Sequence, residues 1–379
     1  MNRLTGPKKN YAWGSTTAFS SLTGAEPSEL PEAEIWYGAH PDAPSQFPDG
    51  STLNEAIKVD PIKTLGADVH ARHPARLPFL LKLLAADSPL SIQAHPTIEQ
   101  AVAGYAAEDH AGIDYRAPNR SFRDQSHKPE LLVAVTRFEA LVGFREPEST
   151  VELLRLLDAD YLAQIVELTG TFAAVRLLLN PTSREAPDVA ETIARISKTA
   201  ASYDGPDRAA EIDLINRIAK TYPDDPGIGV AALLNQLVLE PGEGVYLDAG
   251  TLHAYVRGLG VEVMANSNNV LRGGLTPKHV DVEMLLKVLH SEDGLVEPTQ
   301  MDDQGRYLTP ASEFALSVIT DAGSIEGPAI ILSLDATSTV STAQQSEVLM
   351  PTEAVWLDAG ERAEVTSRGG LTYVAQVGE

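Results

Sequence analysis

The sequence predicts a mainly β protein of the α+β class, with an inserted helical domain and two β-barrel modules. Three observations predict it. The text up to residue 145 and from 236 onward breaks into short strand-like runs between turns, whereas 148–235 switches to a helical period. Strands, then helices, then strands argue against alternating βαβ units. Third, one turn occurs twice. EGVYLDAG at 243–250 and EAVWLDAG at 353–360 agree at six of eight positions. At 379 residues the chain exceeds one ordinary core. The expected division is 1–147 plus 236–300 for a forward barrel, 148–235 for the insert and 301–379 for a second barrel.

The elements follow in order. FLLKLLA at 79–85 is a strand bounded by Pro78 and the turn residues DSP. Lys82 inside it is either an edge-strand charge or a group aimed into a cavity. Ser149 followed by Glu152 has capping-box spacing ahead of Leu153, Leu154, Leu156 and Leu157. Val189, Ile193 and Ile196, then Ile212, Ile215 and Ala219, recur at helical spacing. Breaks at Pro181, Gly205–Pro206 and Pro223 divide the insert into three or four helices. LVLEPGEGVYLDAG carries a hairpin signature, and HVDVEMLLKVLH at 279–290 a short helical one. FALSVI, AIILSL, AVWLDAG and LTYVAQV give the tail its strands.

Composition narrows the function. Hydrophobic content of 43% with 22% charged residues is globular. No apolar run is long enough for a membrane span, and the start lacks the apolar core of a signal peptide. With no cysteine there are neither disulfides nor thiolate metal sites, and the cytoplasm is the expected location. A net charge of −24 repels nucleic acid and anionic lipid. An anionic small molecule therefore requires a local cluster of Lys and Arg.

Four segments carry chemistry. In LSIQAHP, Gln93 and His95 stand two apart, which on a strand puts both on one face. In HKPELL, Pro129 favours an extended path and Glu130 enters an apolar run, where it is either salt-bridged or a ligand. In DAGTLHAY, His253 follows a glycine turn, while the repeated turn has Ala363 in its place; a packing histidine would have left something of similar size. Two imidazoles, a carboxylate and an amide oxygen suit a borderline divalent ion, zinc before others, with positions open to water or substrate. GVEVMANSNNVLRGGLTPKH supplies turns, with Arg272 and Lys278 as phosphate-gripping groups or as solvated loop charges. Glu262 alternates with Val261 and Val263 and so faces away from their side.

SIQAHP, HKPE, DAGTLHAY and NVLRGGLTPK, in this order, resemble the type I mannose-6-phosphate isomerases (phosphomannose isomerases), zinc enzymes built from cupin jelly-roll barrels. NYAWGS at 10–15 and EIWYGAHP at 34–41 are similar to that family's opening motifs. The resemblance covers about 1–290; the weaker tail fits the family's second, metal-free cupin barrel. It implies one zinc per chain on Gln93, His95, Glu130 and His253. It implies a cavity lined by Trp13, Lys82, Ser91, Lys128, Tyr255, Glu262, Arg272 and Lys278. It also implies reversible interconversion of mannose 6-phosphate and fructose 6-phosphate, within the carbohydrate metabolism that leads to GDP-mannose. On that reading Glu262 shuttles the proton, with Lys128 as competitor. Arg272 serves the enediolate or the phosphate, and Lys82, Ser91 and Lys278 serve the phosphate. Asn268 stands where many relatives carry an aspartate. The expected molecule is a cytoplasmic monomer acting on a small sugar phosphate, without nucleic-acid or membrane partners. Rival readings are an iron(II) oxygenase on the same fold, an isomerase of unphosphorylated sugars, and a non-catalytic sugar-phosphate binder. No nucleotide-binding glycine loop is present, which argues against a fused guanylyltransferase.

Overall fold

Period-two alternation divides the forward sheet into a wet face and a dry face. In the computed structural model, which describes residues 1–290, 294 and 296–379, ten antiparallel strands form one connected network. Glu34–Gly38, Phe79–Ala86, the second half of His253–Ala265, Glu130–Ala134 and Gly244–Leu247 lie side by side. Leu81, Leu83, Leu131, Val133, Val261 and Val263 share one core on one face. Lys82, Leu84, Glu130, Leu132 and Glu262, the alternate residues, therefore face the other way.

The first half of His253–Ala265 leaves that layer for a second one, with Leu271–Arg272, Gln93–Ala94, Phe138–Phe144 and Leu234–Leu239. The register shifts between Tyr255 and Arg257, and Gly258 turns at φ 136. A side chain at Gly258 would stand 2.6 Å from Phe138, so this bend needs glycine. The two layers enclose a core of Leu84, Leu132, Val142, Val245 and Tyr255. They remain open sheets facing one another and do not close into the barrels expected from sequence.

Helices cover the outer side of the second layer, where Leu141, Ala254, Val256 and Leu271 meet Leu153, Ile196, Ile215 and Val230. Six helices, not three or four, occupy this stretch: Pro147–Leu156, Asp160–Thr169, Thr171–Leu179, Ala186–Ser202, Ala209–Thr221 and Gly227–Ala232. The extra breaks fall at left-handed Asp158 (φ 57) and Gly170 (φ 84), neither marked by proline. The capping box expected at Ser149 is absent. Pro147 opens the helix, and Ser149 and Glu152 instead take hydrogen bonds from Arg208. The 279–290 pattern becomes the helix Val282–Val288. No helix among the described residues is long and apolar enough to cross a membrane.

The tail is a sandwich of a six-stranded and a four-stranded sheet. Val340, Leu349, Ala363 and Val365 meet Ile331, Val355, Leu357 and Val374 between them. The other face of the six-stranded sheet, with Ile330, Leu332, Trp356 and Tyr373, packs on the dry face of the forward sheet. Asn2–Leu4 pairs with Ala354–Leu357. Leu4 of that first strand is buried in the core the two modules share. Positions 291–293 and 295, within the expected 236–300 segment, lie outside the described residues.

LVLEPGEGVYLDAG is not a hairpin. Leu234–Leu239 pairs with Phe138–Phe144, whereas Gly244–Leu247 pairs with Glu130–Ala134, so the PGEG turn crosses between layers. The repeated turn is nonetheless the same in detail. Gly242 (φ 90) matches Thr352 (φ 68), and Gly250 (φ 80) matches Gly360 (φ 75). Glu243 accepts the amide of Glu240 at 2.9 Å, as Glu353 accepts that of Met350 at 2.9 Å. Tyr246 and Trp356, the aromatic residues of the two copies, both pack on the core that joins the modules.

Candidate active site

The sheet register brings the metal candidates together. Gln93 lies directly across the ladder from His253 on one side and from Arg272 on the other. Glu130 projects from the opposite layer. His95 Nε2 lies 3.4 Å from one Glu130 oxygen and His253 Nε2 lies 3.5 Å from the other. All three side chains are buried, and one donor atom from each falls within 4.8 Å of the others.

The hydrogen bonds fix the tautomers. His95 Nδ1 donates to the Asn269 carbonyl at 2.7 Å, and His253 Nδ1 donates to the Thr251 carbonyl at 3.0 Å. Carbonyls only accept, so each ring proton sits on Nδ1 and each Nε2 presents a lone pair. Neither Nε2 has a hydrogen-bond partner. Burial pushes His95 down to about 4. Two lone pairs and a carboxylate converge in a buried pocket, and this N, N, O set with Gln93 beside it fits a zinc-type ion. Burial opposes the charge on Glu130, but Lys128 at 2.7 Å and the imidazoles hold its carboxyl well below the usual range.

Lys82 resolves one expectation. It is no edge-strand charge but a buried ammonium, 2.8 Å from Glu262 and 3.3 Å from Glu34. Burial alone would lower its pKa; the two carboxylates outweigh that and raise it. Burial raises the Glu262 carboxyl, Lys82 lowers it, Glu130 raises it again, and the net direction is upward. Tyr255 is held well above its ordinary value, first by burial and then by Glu262 and Glu130.

These groups line one cavity of about 640 Å³, together with Trp13, Ser91, Arg272 and Lys278. Arg272 is lowered by burial and by Arg123; Lys278 is lowered by burial, by Arg272 and by Arg123. Neither has a carboxylate partner among the described residues. Sequence reasoning missed Arg123, although it stands just ahead of HKPE. It also missed Glu34, which accepts the Trp36 indole at 2.9 Å as well as Lys82, and Asn269, whose side chain ties 123–126 to the metal loop. Asn268 lies at the edge of this region and donates to Asp42 at 3.1 Å. A carboxylate at 268 would face Asp42 with like charge.

Relatives of known identity agree with this site. The family "Phosphomannose isomerase type I, catalytic domain" matches residues 1–147. Mannose-6-phosphate isomerase of Shigella flexneri is 34% identical over 97% of each chain, and that of Salmonella typhimurium 35% over 95% of each. Among solved structures, a mutant of phosphomannose isomerase from Salmonella typhimurium has a TM-score of 0.90 at 33% identity, with both chains fully covered. A mannose 6-phosphate isomerase bound with zinc and yttrium has a TM-score of 0.88 at 32% identity, again over both whole chains. A likeness that runs nearly end to end, joined to a buried His–Glu–His trio built for a cation, makes this chain a member of the type I phosphomannose isomerase family.

Proposed function

We propose that the chain interconverts D-mannose 6-phosphate and D-fructose 6-phosphate by proton transfer through an enediolate. One observation carries this reading. Glu130, whose carboxylate meets His95 and His253, lines the same cavity as Gln93, Glu262 and two cations, Arg272 and Lys278, that lack a carboxylate partner among the described residues. In a chain of net charge −24, such cations suit a phosphate dianion.

His95, Glu130, His253 and Gln93 would hold the divalent ion, which when bound supplies Lewis acidity toward the sugar's O1 and O2. Glu262 takes the proton from C2 and returns it to C1. Its raised carboxyl makes it a stronger base than an exposed glutamate. Lys128 is the weaker candidate for this role, because its ammonium is tied at 2.7 Å to Glu130. Lys82 holds Glu262 in place; with two carboxylates already on it, it leaves the phosphate to Ser91, Arg272 and Lys278. Tyr255 directs its hydroxyl at Glu130 from 3.4 Å and closes the wall between ion and base, with Trp13 on the same cavity. The oxygenase alternative has no use for these cations. A cytoplasmic monomer remains our reading of its setting, to be checked by fractionation and sedimentation.

The deciding experiment is a coupled assay on mannose 6-phosphate with purified protein, before and after exhaustive chelation. Turnover that chelation abolishes and zinc restores is expected. A zinc-loaded protein that leaves mannose 6-phosphate unchanged would refute the proposal.

A further inference from the structure

The turn after helix Ala209–Thr221, Tyr222–Asp225, reaches the cavity wall at Tyr222 and holds both strands of backbone that carry the cavity's cationic end. Tyr222 donates its hydroxyl to the Pro89 carbonyl at 2.8 Å, two residues before Ser91. Asp225 accepts the amide of Leu275 at 3.1 Å on Oδ1 and that of Thr276 at 3.3 Å on Oδ2, between Arg272 and Lys278. Oδ1 also accepts the amide of Gly227 at 2.7 Å, which fixes the carboxylate to the insert itself.

The backbone so held does not rest in an ordinary conformation. Gly274 has φ 118 and Leu275, a branched residue, has φ 54. A left-handed non-glycine residue persists where its surroundings over-determine it. Here the surroundings are the insert. Leu275 is buried in the helical core, and a side chain on Gly274 would stand 2.5 Å from Gly227 Cα. The two loops are also paired, with Ile92 N donating to the Gly274 carbonyl at 3.1 Å and Gly273 N to the Ile92 carbonyl at 2.8 Å. Ser91, Arg272 and Lys278 therefore ride on one backbone junction, which the insert clamps through Asp225 and through Tyr222 at the cavity wall.

We propose that Asp225 and Tyr222 are positioning residues for the phosphate end of the cavity, and that the helical insert sets the chain's preference for a phosphorylated sugar through them. This rests on the isomerase reading for its substrate but not for its test. Inorganic phosphate, titrated calorimetrically into the zinc-loaded full chain, reports on the clamp without turnover.

Asp225→Ala is expected to weaken phosphate binding about 10-fold and to raise KM for mannose 6-phosphate similarly, with kcat within about threefold and zinc content unchanged. Asp225→Asn, which keeps one acceptor oxygen, is expected to recover part of the loss. Tyr222→Phe removes a single oxygen and carries the test if Asp225→Ala does not fold; about a threefold loss of phosphate affinity is expected. Phosphate binding within about twofold of wild type in folded variants, or a fall in kcat with KM unmoved, overturns the clamp. A wild-type chain that binds phosphate but does not isomerise mannose 6-phosphate defeats the isomerase reading and leaves the clamp to be judged on the phosphate titration.

Discussion

Glu262 keeps a carboxylate in a place that resists charge, and its neighbours decide how basic that carboxylate is. Removing its negative oxygen should remove proton transfer but spare the ion. Glu262→Gln is expected to lower kcat by roughly 10²–10⁴-fold while zinc content stays at the wild-type value. Near-normal turnover would acquit Glu262. Because its carboxyl is raised, the base form is lost at a higher pH than for an exposed glutamate. The acid limb of kcat/KM should therefore lie at higher pH than an exposed glutamate would give, with activity falling as pH falls through it. His253→Ala should lose zinc on dialysis and lose activity with it, and metal analysis reads the first directly. At this scale His95, Glu130 and His253 were legible because their types are costly in apolar strands, and because Ala363 showed the same turn disarmed. Glu34 and Arg123 were not. A lone acid beside Trp36 and a lone arginine in a polar loop look like solvated charges until the fold gives them partners.

Strand His253–Ala265 is the element that makes a cavity possible, since it serves both layers and bends between them at Gly258. Gly258→Val places Cβ against Phe138 and the Arg137 carbonyl in a φ region that valine avoids. It should cost on the order of 3 kcal/mol of stability, read by urea denaturation, with less activity per folded molecule as His253 and Glu262 lose register. The strands were visible in the alternation of the sequence, and Lys82 in FLLKLLA marked the wet face correctly as one of two options. Pairing was not visible. PGEG has hairpin turn chemistry, but local preference does not say whether the next strand returns to its own sheet or crosses to the facing one. Ser149 failed as a cap for a similar reason: Arg208, 59 residues away, competes for its hydroxyl.

In the whole molecule the forward sheet has the cavity on one face and the tail module on the other. Packing against the tail thus supports the site through the thickness of a single strand. Trp356→Ala empties the middle of that shared core and should destabilise the chain by about 3–5 kcal/mol, with KM of the surviving folded fraction close to wild type. A denaturation midpoint unmoved from wild type would show that the modules stand independently. The repeat of 243–250 at 353–360 was legible as one turn used twice, and the two turns match down to their glutamate–amide bonds. What each copy encloses was not legible, because that depends on residues far from the turn. Ala363 packs against Val340, Val365 and Ile331, in the space that becomes a chamber in the forward module. Ala363→His would force a bulky polar ring into solid hydrocarbon. The tail's turn can therefore serve as scaffold while its interior stays filled, and a single substitution at 363 gives it no room for an ion or a sugar.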